Sequence, residues 1–233
     1  MNAIPTVLYI VDDDPEVRRA LARLLRAAGY TTRSYGSASE FLVSGDGRLS
    51  AGCIILDLAM PGLNGLELQQ CLSASGCHRP IIFLTGNGDI SKSVRAMKAG
   101  AVNFLTKPVD DSELLAAVEE ALKVDAAWRA VRSTRHSVSE RLNTLTRRER
   151  QVFEQVVAGR LNKQIAAELG IVEKTIKVHR ARVMRKMNAG TIVELVHLAS
   201  VVGVDSWPVS SQEPLPDHDP NMHTEPEPEH SRH

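Results

Sequence analysis

Four short hydrophobic runs, each followed by polar residues with reactive side chains, constrain the fold of this chain more than any other feature. The runs span residues 7–11, 53–56, 80–84 and 102–105. The residues that follow them are Asp12 with Asp13, Asp57, Thr85, and Thr106 with Lys107. Runs of this length alternating with helix-length segments predict an open parallel sheet, in which side chains beyond the carboxyl ends of the strands meet. We therefore expect three carboxylates, a hydroxyl and an amine to share one pocket.

The charge of this expected pocket indicates what it holds. Crowded carboxylates are unfavourable unless a cation lies among them, and oxygen ligands with room for water suit Mg²⁺. A carboxylate beside such an ion can attack a phosphoryl group, because the metal offsets the charge of the phosphate. Asp57 stands alone at its strand end and is the expected nucleophile, with Lys107 and Thr85 donating to the phosphoryl oxygens. Taken singly, a strand-end aspartate is more often a helix cap, and Asp14 keeps that interpretation before Pro15.

These residues, the segment from Asp57 to Gly65, and Lys107-Pro108 give residues 6–122 a clear resemblance to the receiver domain of two-component response regulators. The resemblance implies a flavodoxin-like, doubly wound, parallel five-stranded sheet with Asp57 as the phosphoacceptor. It also implies that Asp13, Asp57 and the backbone carbonyl of Ala59 ligate Mg²⁺, and that Asp12 assists through water.

The same resemblance assigns two switch residues. Thr85 supplies a hydroxyl that moves to the phosphoryl group, and Phe104 is the aromatic residue that repacks behind it. The sequence departs from the family at Ala59, where many members have a longer and often basic side chain. Phe104 is also typical of only one branch, since others have tyrosine. Neither departure touches the phosphoryl chemistry.

The second half of the chain begins with a long segment of helical composition. Residues 110–142 contain no Pro or Gly and are rich in Ala, Glu and Arg, which predicts that the last receiver helix runs on as a linker helix. From Thr146 the pattern changes to short helices. Thr146 with Glu149, and Thr191 with Glu194, predict helix starts, and Asn162 is the predicted cap of the helix between Gly159 and Gly170. Two short helices joined through a glycine turn are typical of a helix-turn-helix.

The helix predicted over residues 173–187 separates its residues by face. Ile176, Val183 and Met187 form an apolar stripe, whereas the basic residues lie away from it. By itself this pattern is equally typical of a surface helix with solvated charges. Residues 144–203, however, resemble the LuxR-type helix-turn-helix domain through Leu145-Thr146 with Glu149, residues 162–166, residues 175–179, and Lys186. The expected DNA contacts are Lys163, Lys174, Thr175, Lys177, Val178, His179, Arg182 and Lys186. Val172 stands where members usually carry a capping serine.

The net charge of zero conceals two opposite segments. Residues 142–203 hold eleven Lys and Arg against five Glu, a net charge of +6, which points to nucleic acid as partner. Residues 204–233 hold Arg232 against seven acids, a net charge of −6, with six prolines, and predict a disordered tail. The expected division is a receiver domain (1–122), a helical linker (123–143), an all-α DNA-binding domain (144–203) and the tail (204–233).

Together these features predict a DNA-binding response regulator of the NarL/FixJ family. A sensor histidine kinase phosphorylates Asp57 with Mg²⁺, which promotes homodimerisation and promoter binding, with RNA polymerase as a further partner. Beyond self-phosphorylation and autodephosphorylation, we expect no enzyme activity. No apolar run is long enough to span a membrane and no signal peptide pattern is present, so the expected location is cytoplasmic.

Two alternatives from other functional classes remain. One is a phosphorylation-independent interaction module whose helical domain serves for dimerisation, and the intact set of pocket residues argues against it. The other is a Mg²⁺ phosphatase acting on free substrates, for which the sequence offers no separate acid or substrate pocket.

Overall fold

The computed structural model of this chain describes residues 6–46, 51–86 and 90–203, with the side chains of residues 90–92 excepted. The chain divides into two compact units, Met1–His136 and Ser137–His233. The first contains β1 (Val7–Val11), α1 (Pro15–Ala27), β2 (Thr31–Tyr35), α2 (Ala38–Ser44), β3 (Ile54–Asp57), α3 (Gly65–Ala74), β4 (Ile81–Thr85), α4 (Ile90–Lys98), β5 (Asn103–Thr106) and most of α5 (Asp111–Asn143). The second contains the end of α5, then α6 (Arg147–Val157), α7 (Asn162–Leu169), α8 (Glu173–Met187) and α9 (Ile192–Val201). The tail predicted to be disordered lies outside the described residues.

The five strands of the first unit form one parallel sheet in the order β2-β1-β3-β4-β5. The register pairs Val11 with Leu56, Leu56 with Phe83, and Thr85 with Thr106. Because paired strands run in the same direction, their carboxyl ends lie along one edge of the sheet. The predicted doubly wound five-stranded sheet is confirmed.

Hydrophobic side chains cover both faces of this sheet. Every residue of β1, β3 and β4 is buried, as expected for parallel strands that lie between two layers of helices. Tyr9 and Leu56 pack with residues of α2, α3 and α4 on one face, while Ile10 and Ile55 pack with residues of α1 and α5 on the other. Two separate core layers therefore hold the strand ends rigidly in place.

Helix α3 begins directly against the strand that carries Asp57. The Asn64 side chain accepts the N–H of Glu67 at 3.0 Å, and the Glu67 carboxylate accepts the N–H of Asn64 at 2.9 Å. At the next residue, Gly65, a Cβ atom would lie 2.4 Å from the carbonyl oxygen of Asp57. Only glycine permits this approach, so the Asn-Gly pair fixes α3 against the end of β3.

The predicted long helix is confirmed as α5, with 33 residues. Its first turns pack Leu114 and Val118 into the core of the first unit, where the Asp125 carboxylate also accepts the N–H of Gly52 at 3.0 Å. Its last turns place Val138 and Leu142 in the core of the second unit. Across the described parts of the chain, α5 included, no helix combines the length and apolar character needed to cross a membrane.

The second unit is a helical domain whose starts follow the predicted capping residues. Thr146 and Glu149 form a reciprocal capping box at α6, and the Thr191 hydroxyl accepts the N–H of Glu194 at α9. Gly170 ends α7 with a φ of 64°, a left-handed conformation that glycine adopts without strain. These capping predictions are confirmed.

The start of α7 differs from the prediction. Its capping position is Leu161, and Asn162 is the first helical residue. The Asn162 side chain instead accepts a hydrogen bond from Arg180 of α8 at 2.9 Å, while the Gln164 side chain accepts the N–H of Leu161. The prediction was wrong because the partner of Asn162 is a residue distant in sequence, which a local capping pattern does not reveal.

Candidate functional site

The carboxyl edge of the sheet brings Asp12, Asp57 and Lys107 into direct contact. Lys107 Nζ lies 2.6 Å from Asp12 Oδ2 and 3.1 Å from Asp57 Oδ1. Both carboxylates are almost fully buried. Thr85 at the end of β4 is buried as well, and its carbonyl oxygen accepts the N–H of Lys107 at 2.7 Å. The parallel register thus brings residues from four strand ends to one place.

Asp13 adds an exposed third carboxylate to this cluster. One carboxylate oxygen from each of Asp12, Asp13 and Asp57 lies within 4.8 Å of the other two. A single lysine cannot neutralise three carboxylates, so the cluster keeps a negative charge. Hard oxygen ligands open to solvent on one side fit Mg²⁺, which retains part of its water shell when bound. The donor set therefore fits the predicted cation, and Ala59, the predicted carbonyl ligand, lies in the loop directly after β3.

Burial and neighbouring charges act in opposite directions on Asp57. Burial raises the pKa of the Asp57 carboxyl above its usual value, while the charge and hydrogen bond of Lys107 lower it. The Asp12 carboxylate raises this pKa further, and a hydrogen bond from the backbone of Ala59 lowers it. Burial lowers the pKa of Lys107, but its two carboxylate partners outweigh burial and raise that pKa. Lys107 is therefore a firmly protonated cation within a cluster that carries excess negative charge.

Two contacts that the sequence did not predict hold Asp12 in place. The Arg18 guanidinium donates to the Asp12 backbone carbonyl at 2.6 Å, and the backbone N–H of Asp14 donates to Asp12 Oδ1 at 2.9 Å. Asp14 also caps α1 through its own side chain, as predicted. The position of Arg18 in the first turns of α1 was the only sequence signal for this contact, and any exposed helical arginine gives the same signal.

The two predicted switch residues lie on adjacent strands. Thr85 on β4 pairs with Thr106, and Phe104 on β5 pairs with Phe83. The Phe104 ring is half-buried, with its centroid 6.4 Å from that of Phe83. Thr85 and Phe104 therefore lie on the paired strands β4 and β5, with Phe104 two residues before the pairing partner of Thr85.

Helix α8 of the second unit presents most of the predicted DNA contacts to solvent. Lys174, Lys177, Val178 and Arg182 are exposed, Thr175 and His179 are half-buried, and Lys163 is exposed on α7. On the opposite side, Ile176, Val183 and Met187 are fully buried, as the apolar stripe predicted. Lys177 Nζ also lies 3.4 Å from the Glu173 carboxylate one turn earlier. The helix therefore has one solvent-facing basic face and one core face.

The position of Lys186 differs from that of the other predicted DNA contacts. Its Nζ donates to Glu149 Oε2 at 2.6 Å and to the carbonyl oxygen of Thr144 at 2.9 Å. Glu149 is buried, and the hydrogen bond from Lys186, followed by that from the backbone of Thr146, lowers its pKa to about 2. The Lys186 amine is therefore hydrogen-bonded to other residues of the second unit.

Both units of the chain match known protein families. The family model of the response regulator receiver domain matches residues 8–119, and that of the bacterial regulatory proteins of the luxR family matches residues 143–199. Nodulation protein W of Bradyrhizobium diazoefficiens is 42% identical over 86% of this chain and 88% of its own length. The transcriptional regulatory protein FixJ of Azorhizobium caulinodans is 44% identical over 84% of this chain and 93% of its own length.

The fold comparison extends over the same part of the chain. The solved structure of the response regulator StyR is 44% identical and matches with a TM-score of 0.75, covering 84% of this chain and 98% of that chain. Identity above 40% across both units, together with the two matched domains in this order, shows the family. The chain belongs to the NarL/FixJ-type response regulators, transcription regulators that join a receiver domain to a LuxR-type DNA-binding domain.

Proposed function

We propose that a sensor histidine kinase transfers a phosphoryl group to Asp57, and that this modification makes the chain bind promoter DNA as a homodimer. The observation that carries the proposal is the contact between Asp57 and Lys107 in a buried, carboxylate-rich pocket. Its three carboxylates and single amine suit the acceptance of a phosphoryl group better than substrate hydrolysis, for which a separate acid would be needed.

The transfer step uses a carboxylate oxygen of Asp57 as nucleophile. An O–P bond forms to this oxygen while the N–P bond of the donor phosphohistidine breaks, and the histidine nitrogen keeps the bonding electron pair. Lys107 is close enough to Asp57 to donate to the phosphoryl oxygens, and the Thr85 hydroxyl belongs to the same strand edge. Attack of water on the resulting acyl phosphate is the autodephosphorylation that ends the signal.

Asp12, Asp13, Asp57 and the carbonyl of Ala59 are the groups that we propose hold Mg²⁺. A bound Mg²⁺ supplies positive charge that offsets the charge developing on the transferred phosphoryl oxygens. The hydrogen bonds from Arg18 and Asp14 keep Asp12 oriented toward this cluster.

The output of the first unit is proposed to be a dimer formed through α4 and β5. Val94 and Met97 of α4 are large apolar residues with 45% of their surface exposed, which is the kind of surface that association covers. Thr85 and Phe104 on β4 and β5 connect the modified pocket to this face. The phosphoryl group can shift the equilibrium only by its different affinity for the two states, and these two residues provide that difference.

The output of the second unit is proposed to be sequence-specific DNA binding. Residues 1–122 receive the phosphoryl group, residues 123–143 form the helical linker, and residues 144–203 bind DNA. The exposed face of α8 enters the major groove, where its first turns contact base edges and its flanks contact phosphates. A promoter-binding chain acts in the cytoplasm, where RNA polymerase is its further partner.

A gel shift with a pool of genomic fragments tests the whole proposal. The chain is incubated with Mg²⁺ and a small-molecule phosphodonor, and its affinity for the pool is compared with that of the untreated chain. Tighter binding by the treated chain, with no response in Asp57→Asn, is the expected result. If both chains responded equally, the phosphoacceptor assignment would be wrong. If neither treated nor untreated chain bound any fragment, the DNA-binding assignment would fail.

A further inference from the structure

The carboxyl end of α8 is anchored by residues that precede the helix-turn-helix. Lys186, in the last turn of α8, donates two of its three N–H groups to Glu149 and to the carbonyl oxygen of Thr144. The Glu149 carboxylate has only 4% of its side-chain surface exposed, and the Lys186 side chain 29%. A lysine that contacts DNA phosphates has an amine exposed to solvent in the free protein. The amine of Lys186 instead compensates the buried charge of Glu149.

A second anchor lies one residue further along α8. Arg141, near the end of α5, donates through Nη1 to the carbonyl oxygen of Met187 at 3.1 Å. The last carbonyl groups of a helix have no partner within it, and a cation there also complements the negative end of the helix dipole. The Met187 side chain is fully buried. The end of α8 is therefore fixed both by polar contacts to residues 141–149 and by packing.

Two of the exposed basic residues, Lys174 and Lys177, lie toward the opposite end of the same helix. Lys177 and Lys186 are nine residues apart, which corresponds to about 14 Å along a helix axis. A rotation of about 10° at Lys186 therefore moves Lys177 by roughly 2 Å. That displacement exceeds the tolerance of roughly 0.5 Å within which a binding residue has to be held. The anchored end thus controls what the other end can read.

We infer that Lys186, Glu149 and Arg141 are specificity-determining positioning residues, which set the orientation of α8 against the rest of the second unit without contacting DNA. The inference rests on the proposed role of α8 as the DNA-reading helix. It replaces the expectation that Lys186 contacts DNA, and it adds two residues outside α7 and α8 to those that decide sequence preference.

Salt dependence separates a positioning residue from a phosphate contact. Losing one phosphate contact lowers the slope of log affinity against log salt concentration by about 0.9, because one counterion fewer is released. Losing a positioning residue leaves that slope unchanged and lowers the preference for the right sequence. Glu149→Gln gives a second distinction. On charge alone, this change makes the second unit more positive and tightens binding to every duplex, whereas misorientation of α8 weakens binding to the preferred duplex.

The experiment uses the full chain, treated with phosphodonor, and two duplexes. One duplex is enriched by the unaltered chain from a random-sequence pool, and the other is its shuffled version. Affinities for both are measured over a series of salt concentrations for Lys186→Met, Lys186→Arg, Glu149→Gln and Arg141→Gln. Arg182→Gln is the matched control, since Arg182 is an exposed arginine of the same helix. Helix content is measured first, and if Lys186→Met does not fold, Lys186→Arg and Glu149→Gln carry the test.

We expect Lys186→Met and Glu149→Gln each to reduce the affinity ratio between the two duplexes by about tenfold with an unchanged salt slope, a loss within the range of discrimination that one well-placed base contact provides. The double variant Lys186→Met/Glu149→Gln should reduce this affinity ratio by no more than the more damaging single variant does. Lys186→Arg should retain part of the ratio. An unchanged ratio, or a slope that falls by about 0.9, overturns the inference. Lys177→Ala is measured in the same way. If Lys177→Ala and Arg182→Gln both left affinity for the two duplexes unchanged, the proposed role of α8 would fail instead.

Discussion

The two units each contain a lysine 2.6 Å from a buried carboxylate, yet the two contacts have opposite character. In the first unit Lys107 faces both Asp12 and Asp57, with Asp13 nearby, so negative charge exceeds positive charge. In the second unit Lys186 contacts a single carboxylate, that of Glu149; Lys186 also donates to the carbonyl oxygen of Thr144, and Glu149 accepts the N–H of Thr146.

The pKa directions differ because burial dominates at Asp57, whereas the hydrogen bond from Lys186 dominates at Glu149. Burial, with the charge of Asp12 adding to it, raises the pKa of Asp57 despite Lys107, whereas the hydrogen bond from Lys186 lowers the pKa of Glu149 to about 2. A balanced ion pair acts as a structural contact, because neither residue has an uncompensated charge that would attract another ion. An unbalanced cluster favours a cation or a reacting group that restores balance. The comparison teaches that a lysine–carboxylate contact with excess negative charge is suited to a cation or a reacting group, whereas a balanced one is suited to holding two helices together.

The largest expected effect is the loss of phosphorylation in Asp57→Asn. Asp57 is the proposed phosphoacceptor and lies 3.1 Å from Lys107 beside two further carboxylates, so small phosphodonors with Mg²⁺ should label the chain at this residue. The variant should remain folded, since it removes one negative charge from a crowded cluster. Intact-mass measurement after treatment checks this, with Asp14→Asn as a control that should label normally. Full labelling of Asp57→Asn would contradict the assignment.

Lys107→Ala should separate labelling from dimerisation. The variant keeps its nucleophile and carboxylates, so it should still accept a phosphoryl group in the presence of Mg²⁺. It lacks the cation that contacts Asp57 and that would move when the charge there changes, so labelling should no longer promote association. Sedimentation velocity of labelled and unlabelled chain provides the measurement, with exposed Arg23→Ala as control. A labelled Lys107→Ala that dimerised like the unaltered chain would remove Lys107 from the switch.

The contact between Lys186 and Glu149 should make the stability of the second unit depend on pH. A carboxyl with a lowered pKa in the folded chain stabilises it above its usual pKa of 4.5, and this stabilisation is lost as the pH falls toward 2. Glu149→Gln should remove that dependence, which amounts to at most about 3 kcal/mol. Denaturant unfolding between pH 5 and about 2.5, followed through the methyl signals of Ile165 and Val183, measures it. Exposed Glu154→Gln is the control, and an equal pH dependence in both variants would argue against the pair.

The sequence predicted the carboxylate cluster of the first unit more completely than the contacts at the end of α8, for a physical reason. Strand ends are local features, and parallel topology then forces them to one edge, so Asp12, Asp57 and Lys107 could be placed together from hydrophobic runs alone. The Thr146 and Glu149 capping box was likewise readable, because its two residues are three apart.

The pairing of Lys186 with Glu149 had no such signal. The two residues are separated by 37 positions, and only the packing of α8 against α6 brings them together. On a helical wheel, Lys186 looks like any other basic residue of a DNA-reading face. The same limit explains Asn162, whose side chain bonds to Arg180 in place of its own helix. Contacts between helices of different parts of the chain depend on packing geometry that local patterns do not encode.

Removing one carboxylate should sharpen the charge argument for the first unit. Asp13→Ala leaves Asp12 and Asp57 in contact with Lys107, but takes away the exposed oxygen ligand of the cluster. Mg²⁺ affinity should fall by at least the roughly 10–100-fold that losing even an outer partner of a metal costs. Titration calorimetry with Mg²⁺ alone gives the affinity, and exposed Glu16→Gln on α1 is the control for a simple change in net charge. Equal affinities for the unaltered chain and Asp13→Ala would place the cation elsewhere.

The smallest expected effect concerns a single charge on the solvent-facing side of α8. Arg182 lies on the same helix as Lys186 but is exposed, so we expect it to contact a phosphate in the complex. Arg182→Gln should weaken binding similarly for all duplexes and lower the salt slope by about 0.9, while the ratio between selected and shuffled duplexes stays the same. Filter binding across salt concentrations measures both quantities on one set of samples. Because Lys186→Met is expected to change the ratio and not the slope, the two variants should fall on different axes of one plot. If both changed only the slope, the contrast between an anchored lysine and an exposed arginine on α8 would disappear, and Lys186 would have to leave Glu149 when DNA binds.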